Sequence, residues 1–103
     1  MLANISSIME KLEKRRKNGG YAVLRAWLED YEKALLKGDE LTVSFDIKWM
    51  VNQAEQDRIY GQISGFIRGL NAGGVISDKE VDSALAELIA YPSSRREAVQ
   101  CQK

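Results

Sequence analysis

The sequence predicts an all-α protein, a small bundle of about four helices around one long central helix at residues 45–71. Three observations carry that prediction. Apolar residues recur at three- and four-residue steps through most of the chain, the period of an amphipathic helix. The stretch FDIKWMVNQAEQDRIYGQISGFIRGLN holds no proline and spans roughly 40 Å as a helix at ~1.5 Å per residue. Glycine-bearing breaks at 18–20, 38 and 72–74 then divide the chain into helical segments.

The first segment, Leu2–Lys17, carries Leu2, Ile5, Ile8, Met9 and Leu12 as one narrow stripe. Glu10 with Lys14 and Glu13 with Lys17 are favourable i,i+4 pairs, and Lys14, Arg15, Arg16 and Lys17 complement the negative end of the helix dipole. Asn18, Gly19 and Gly20 are expected to stop it. Tyr21–Lys37 follows, with Leu24, Trp27, Leu28, Tyr31, Ala34 and Leu35 on one face and Gly38 as a left-handed terminator. From Leu41 to Phe45 apolar and polar residues alternate, which predicts a short extended segment near 41–45. It either covers the core or pairs with its counterpart in a second copy, and Ser44 or Asp46 would cap the long helix.

The long helix presents apolar lines on two opposite sides. One is Ile47, Met50, Val51 and Ala54, continued by Gly61, Gly65 and Gly69; the other is Ile59, Ile63, Phe66, Ile67 and Leu70. Three interior glycines cost about 2.5–3 kcal/mol against alanine, so a neighbouring backbone is expected against that bare flank. Ala72, Gly73 and Gly74 break the helix. Ser77 and Glu80 then form a capping box, with Ile76 and Val81 as the hydrophobic staple. The last helix is expected from Asp78 to about Ala90, ending at Tyr91 before Pro92. A single helical domain at 1–92 with a flexible tail at 93–103 results.

Composition narrows the function. Fifteen basic and fifteen acidic residues cancel, so no global field attracts a polyanion. The chain has no histidine, and its one cysteine, Cys101, allows neither an intrachain disulfide nor a zinc cluster. No apolar run reaches the ~18 residues of a membrane span, and the first residues are too polar for a signal peptide, which predicts a cytoplasmic protein with no membrane contact. The glycine spacing fits neither a dinucleotide fingerprint nor a P-loop. Residues 69–80 match the second half of a calcium loop, but Gly69 and Gly73 replace ligand positions, so no metal and no cofactor are expected. The carboxylates Glu29, Asp30, Glu32, Asp39 and Glu40 suit solvated helix faces.

Interaction chemistry remains. Trp49, Tyr60 and Tyr21 are the aromatic side chains expected as surface anchors, and Arg58 falls on the glycine line. The candidate partner-binding set is Trp49, Arg58, Tyr60, Gly61, Gly65 and Gly69. The run GFIRGLNAGGVISDKEVDSALAEL resembles the helix, glycine turn and capped helix found in many small accessory proteins of enterobacterial phages and prophages. That resemblance implies a modulator or inhibitor of a larger host protein, such as a defence nuclease or a transcription component. The expected function is therefore a non-catalytic protein-binding module, in its concrete version a homodimer across the 45–71 helix. The alternative is a small nucleic-acid-binding regulator using Lys14, Arg15, Arg16 and Lys17, with Arg68, Arg95 and Arg96 as further candidates.

Overall fold

A computed structural model describes residues 2–15, 18–41 and 47–101, with the backbone alone for 18 and 96–101. Four helices account for nearly all of it: α1 (Ala3–Lys14), α2 (Asn18–Glu40), α3 (Ile47–Ala72) and α4 (Asp78–Cys101). The core draws Ile5, Ile8 and Leu12 from α1, Leu24, Tyr31, Ala34 and Leu35 from α2, and Ile59, Ile63 and Ile67 from α3. Ile76, Val81, Ala84 and Leu88 close it from the last corner and α4. The expected all-α bundle is the observed architecture, and no strand occurs among the described residues. Thr42 to Phe45 of the expected extended segment, together with the candidate cap Asp46, lie outside the described residues, while Leu41 forms a bend behind α2.

α1 has no capping side chain of its own, and the bundle supplies one. The Glu87 carboxylate of α4 accepts from the backbone N–H groups of Asn4 (2.9 Å) and Ile5 (3.2 Å) and from the Asn4 amide (2.9 Å). A carboxylate there satisfies orphan donors and faces the positive end of the helix dipole. Further along, Lys11 Nζ donates to both oxygens of Glu80 at 2.8 Å. The two contacts run in opposite order along the chain, so α1 and α4 are antiparallel.

The corner between α3 and α4 follows the expected chemistry closely. Gly74 takes φ 76°. Its N–H donates to the Asn71 carbonyl (3.0 Å), while the Val75 N–H donates to the Leu70 carbonyl (2.9 Å). That pair of bonds defines a Schellman end, in which a glycine accepts the left-handed backbone at no steric cost. The capping box forms in both directions: Glu80 N–H to Ser77 Oγ and Ser77 N–H to Glu80 Oε1, each 3.2 Å. Ile76 and Val81 are both buried as the staple requires. The Asn71 amide binds the Ile76 carbonyl (3.1 Å) and Asp78 Oδ1 (2.9 Å), giving that residue a turn-locking role.

Three expected boundaries are corrected. Gly19 and Gly20 belong to the first turn of α2, and a Cβ at Gly20 would lie 3.4 Å from the Phe66 ring, so this glycine admits an aromatic ring. Gly38 does not terminate α2, which continues to Glu40. A Cβ at Gly38 would stand 2.6 Å from both Asn52 Oδ1 and Gln56 Nε2. The glycine of close approach is therefore at the α2–α3 seam. There the Asn52 amide, 4% exposed, donates to the Ala34 carbonyl at 3.0 Å, and Gln56 Nε2 donates to Asn52 Oδ1 at 2.7 Å. Finally, α4 does not stop at Tyr91 but passes through Pro92 to Cys101. An interior proline removes the N–H that would bond the Leu88 carbonyl, at a cost of ~3 kcal/mol. Docking on both sides of it offsets the loss: Tyr91 hydrogen-bonds Glu32, and Arg95, 6% exposed, is gripped by Glu32 and Asp39.

The seam yields a sign-reversing prediction. Alanine is favoured over glycine in a helix by about 0.8–1 kcal/mol, yet at Gly38 the methyl displaces a buried hydrogen-bonded amide worth about 1–3 kcal/mol. Gly38→Ala should be neutral to destabilising in the native background and stabilising by about 1 kcal/mol when both side chains it would meet, Asn52 and Gln56, are already alanine. Urea denaturation of the four-member cycle measures this, and equal effects in both backgrounds would disprove the steric coupling.

Candidate functional site

α3 divides the molecule. Its inner side carries Asn52, Ile59, Ile63 and Ile67, all buried. At 100° per residue, its outer side carries Ile47, Met50, Val51, Ala54, Arg58, Gly61, Gly65 and Gly69, and every one of these is exposed. The exposure of the three large residues is high: Ile47 74%, Met50 56% and Val51 62%. Scattered apolar residues on a surface need no explanation, whereas three within about one turn on one face form a patch. Ile47 and Val51 also wall a groove of about 490 Å³ between the last turns of α2 and the start of α3.

The expected partner-binding residues separate into two groups. Arg58, Gly61, Gly65 and Gly69 share the outward face, where a Cβ at any of the three glycines would meet nothing within 4 Å. Among the described residues, then, no backbone presses on that flank, and of the two neighbours the bare flank calls for, a helix of the same chain or a second protomer, the first is not seen there. Trp49 and Tyr60 fall on roughly the opposite side of α3. Tyr60 packs against the core, as does Tyr21 from α2, so neither stands out as a surface anchor; Trp49 is half-buried. Trp27, expected in the core, is half-buried with its ring edge-on to Phe66 at 5.7 Å.

Arg58 is exposed and donates through Nε to Glu55 Oε2 at 3.0 Å, an i,i+3 pair. The hydrogen bond from Arg58 holds the Glu55 carboxyl below its ordinary range, and Glu55 in turn raises the guanidinium. Both groups therefore stay charged, forming a fixed dipole in the middle of the outward face. Lys14 and Arg15 of the alternative nucleic-acid set are exposed at the end of α1, and Arg16 and Lys17 lie outside the described residues. Arg95, which that alternative also enlisted, is buried in ion pairs and is not free to meet a phosphate.

No protein-family model matches the chain, and no curated protein or solved structure matches it. The outward face of α3 is consequently judged on its own chemistry.

A second constellation was not anticipated from sequence: Glu32, Asp39, Tyr91 and Arg95. Arg95 Nε lies 3.0 Å from Glu32 Oε1 and its Nη1 2.7 Å from Asp39 Oδ2. Burial pulls the guanidinium down, but the two carboxylates outweigh it and leave its pKa above the usual value. Burial, then the hydrogen bond to Glu32, pushes the Tyr91 phenol up to about 12. Perturbed groups invite a catalytic reading, yet here each perturber is a partner already in place. Among the described residues no buried side-chain nitrogen or oxygen lacks a hydrogen bond. The cluster acts as a clamp between α2 and α4. Its sequence signal was the i,i+4 spacing of Tyr91 and Arg95, which a helix ending at Pro92 would have erased.

Two outcomes follow from this geometry. Because the Tyr91 pKa is raised from 10.0 to about 12, its neutral form belongs to the folded state. Its contribution to stability is complete below pH 10 and lost as pH rises through about 12; Tyr91→Phe should flatten that decline, as followed by tyrosinate absorbance and circular dichroism. On the outward face, Gly61→Ala and Gly65→Ala should each stabilise the dilute protein by about 0.8–1 kcal/mol. Destabilisation in denaturant melts would show the flank to be packed in the monomer.

Proposed function

We propose that this chain is a non-catalytic protein-binding module whose contact surface is the outward face of α3. One observation carries the reading: a contiguous apolar patch of Ile47, Met50 and Val51 stands in water on the same face as an uncovered glycine flank. Fully covering a side chain of that size stabilises by about 1.5–3 kcal/mol. Three of them outweigh the ~2.5–3 kcal/mol that the glycines cost the helix. A surface that is unfavourable in both respects when bare, and favourable when covered, fits a partner helix lying along it.

Side-chain chemistry supports a binding role over catalysis. With no histidine, and with Cys101 as the one thiol, acid–base or nucleophilic work would fall to carboxylates and tyrosines. The likeness of the last half to phage and prophage accessory proteins is the ground for naming the target class, a larger host protein whose activity is modulated or inhibited.

A photo-cross-linking residue placed at Val51 and, as control, at Lys33 on the exposed side of α2 tests the surface in the cell that makes the protein. The expected result is a protein adduct from position 51 and none from 33. Absence of any adduct from position 51 would remove the outward face from consideration.

A further inference from the structure

The outward face is made of two unlike halves, and the halves fit each other. The first two turns carry knobs, Ile47 and Val51; the later turns carry holes, Gly61 and Gly65. Both pairs are spaced i,i+4, so they share the same rise of about 6 Å and the same angular offset. We infer that the protein covering this face is a second copy of the chain, its α3 lying antiparallel across a two-fold axis at the level of Gln56. Ile47 and Val51 of each copy then rest over Gly65 and Gly61 of the other. This rests on the binding reading above and names the occupant of the same face; a larger partner would meet the dimer.

The argument that selects this arrangement is steric. A parallel pair would set Ile47 against Ile47 and glycine against glycine, leaving bulk facing bulk at one end and a void at the other. Antiparallel pairing sets Ile47 and Val51 each against a glycine, with Met50 level with Gln62 at the edge, and self-complementarity of one patch is what a two-fold interface demands. An axial separation near the lower end of the roughly 8–10 Å range becomes accessible, because each close approach has a glycine on one side.

Charge does not decide between the orientations. Arg58 and Glu55 already pair within each helix. In the antiparallel register Arg58 of one copy lies level with Ala54 of the other, one residue from Glu55, which extends each ion pair across the axis, whereas Glu55 of one copy lies level with Asp57 of the other, so four carboxylates meet two guanidiniums there. Shape therefore sets the orientation.

Sedimentation equilibrium on the full chain at high micromolar concentration is the test. The expected mass is twice the 11.6 kDa of the chain. Gly61→Leu should return it to monomer with helix content unchanged, since nothing among the described residues lies within 4 Å of a Cβ at that position. Adding Val51→Ala exchanges bump and hole and should restore the dimer. A native chain that stays monomeric overturns self-pairing. A dimer indifferent to Gly61→Leu, or a double variant that remains monomeric, overturns the antiparallel register. If the native chain is monomeric while the cross-linker at Val51 captures a different protein, the second copy is rejected and the binding module stands. If it is monomeric and nothing is captured, both fall.

Discussion

A four-helix chain of this length can cover only one side of its longest helix, and that constraint shapes the rest of the molecule. α3 carries apolar or bare residues along two opposite lines, and α2 and α4 both pack on the line of Ile59, Ile63 and Ile67. Those three isoleucines, about one turn apart, fill the core. The α2–α3 seam makes the choice of side specific. Only where Gly38 lacks a side chain can Asn52 enter and reach the Ala34 carbonyl, so the buried amide fixes which residues of the two helices meet. A rotation of α3 that brought Ile47 and Val51 inward would strand that amide without its acceptor and turn Ile59, Ile63 and Ile67 out into water, losing more apolar burial than it returned.

The remaining helices are tied to this pair by charge placed at helix ends and flanks. Glu87 caps α1, Lys11 grips Glu80 at the start of α4, and Arg95 holds the far part of α4 to Glu32 and Asp39 of α2. Lys11 holds the Glu80 carboxyl below its ordinary range, with the Ser77 backbone adding to the effect, so one side chain serves both the capping box and the α1 contact. Exposed pairs contribute little individually, whereas the Arg95 pair is mostly withdrawn from water and has two acceptors for one guanidinium. It is therefore the contact able to carry α4 past a proline.

What could be read from the amino-acid order depended on whether the signal was local. The Ser77–Glu80 box, the Ile76–Val81 staple and the periodicity of Ile5, Ile8 and Leu12 are decided within a turn or two, and they appear as expected. Gly38 and Pro92 carry strong local meanings as terminators, and both were overruled by partners distant in sequence: Asn52 and Gln56 in one case, Glu32 and Asp39 in the other. The candidate site was half legible. Helical angle placed Arg58, Gly61, Gly65 and Gly69 on one face with Ile47, Met50 and Val51, as the structure has them. Residue type nominated Trp49 and Tyr60, which fall on the other side, because aromatic identity says nothing about direction.

The glycines remain the sharpest clue to what the outward face is for. In a solvated helix flank with no neighbour, alanine would be the better residue at each of 61, 65 and 69 on intrinsic preference alone. The kept cost is not explained by turn geometry, since Gly74 is the glycine with positive φ and lies beyond the helix end. Nor is it explained by crowding among the described residues, since none of them lies within 4 Å of a Cβ at any of the three positions. The bulky half of the same face poses the converse problem, with Ile47 and Val51 exposed where polar residues would be soluble and equally helical. A single partner surface that brings holes to the knobs and knobs to the holes removes both costs together, and one further copy of α3, turned end for end, has that shape.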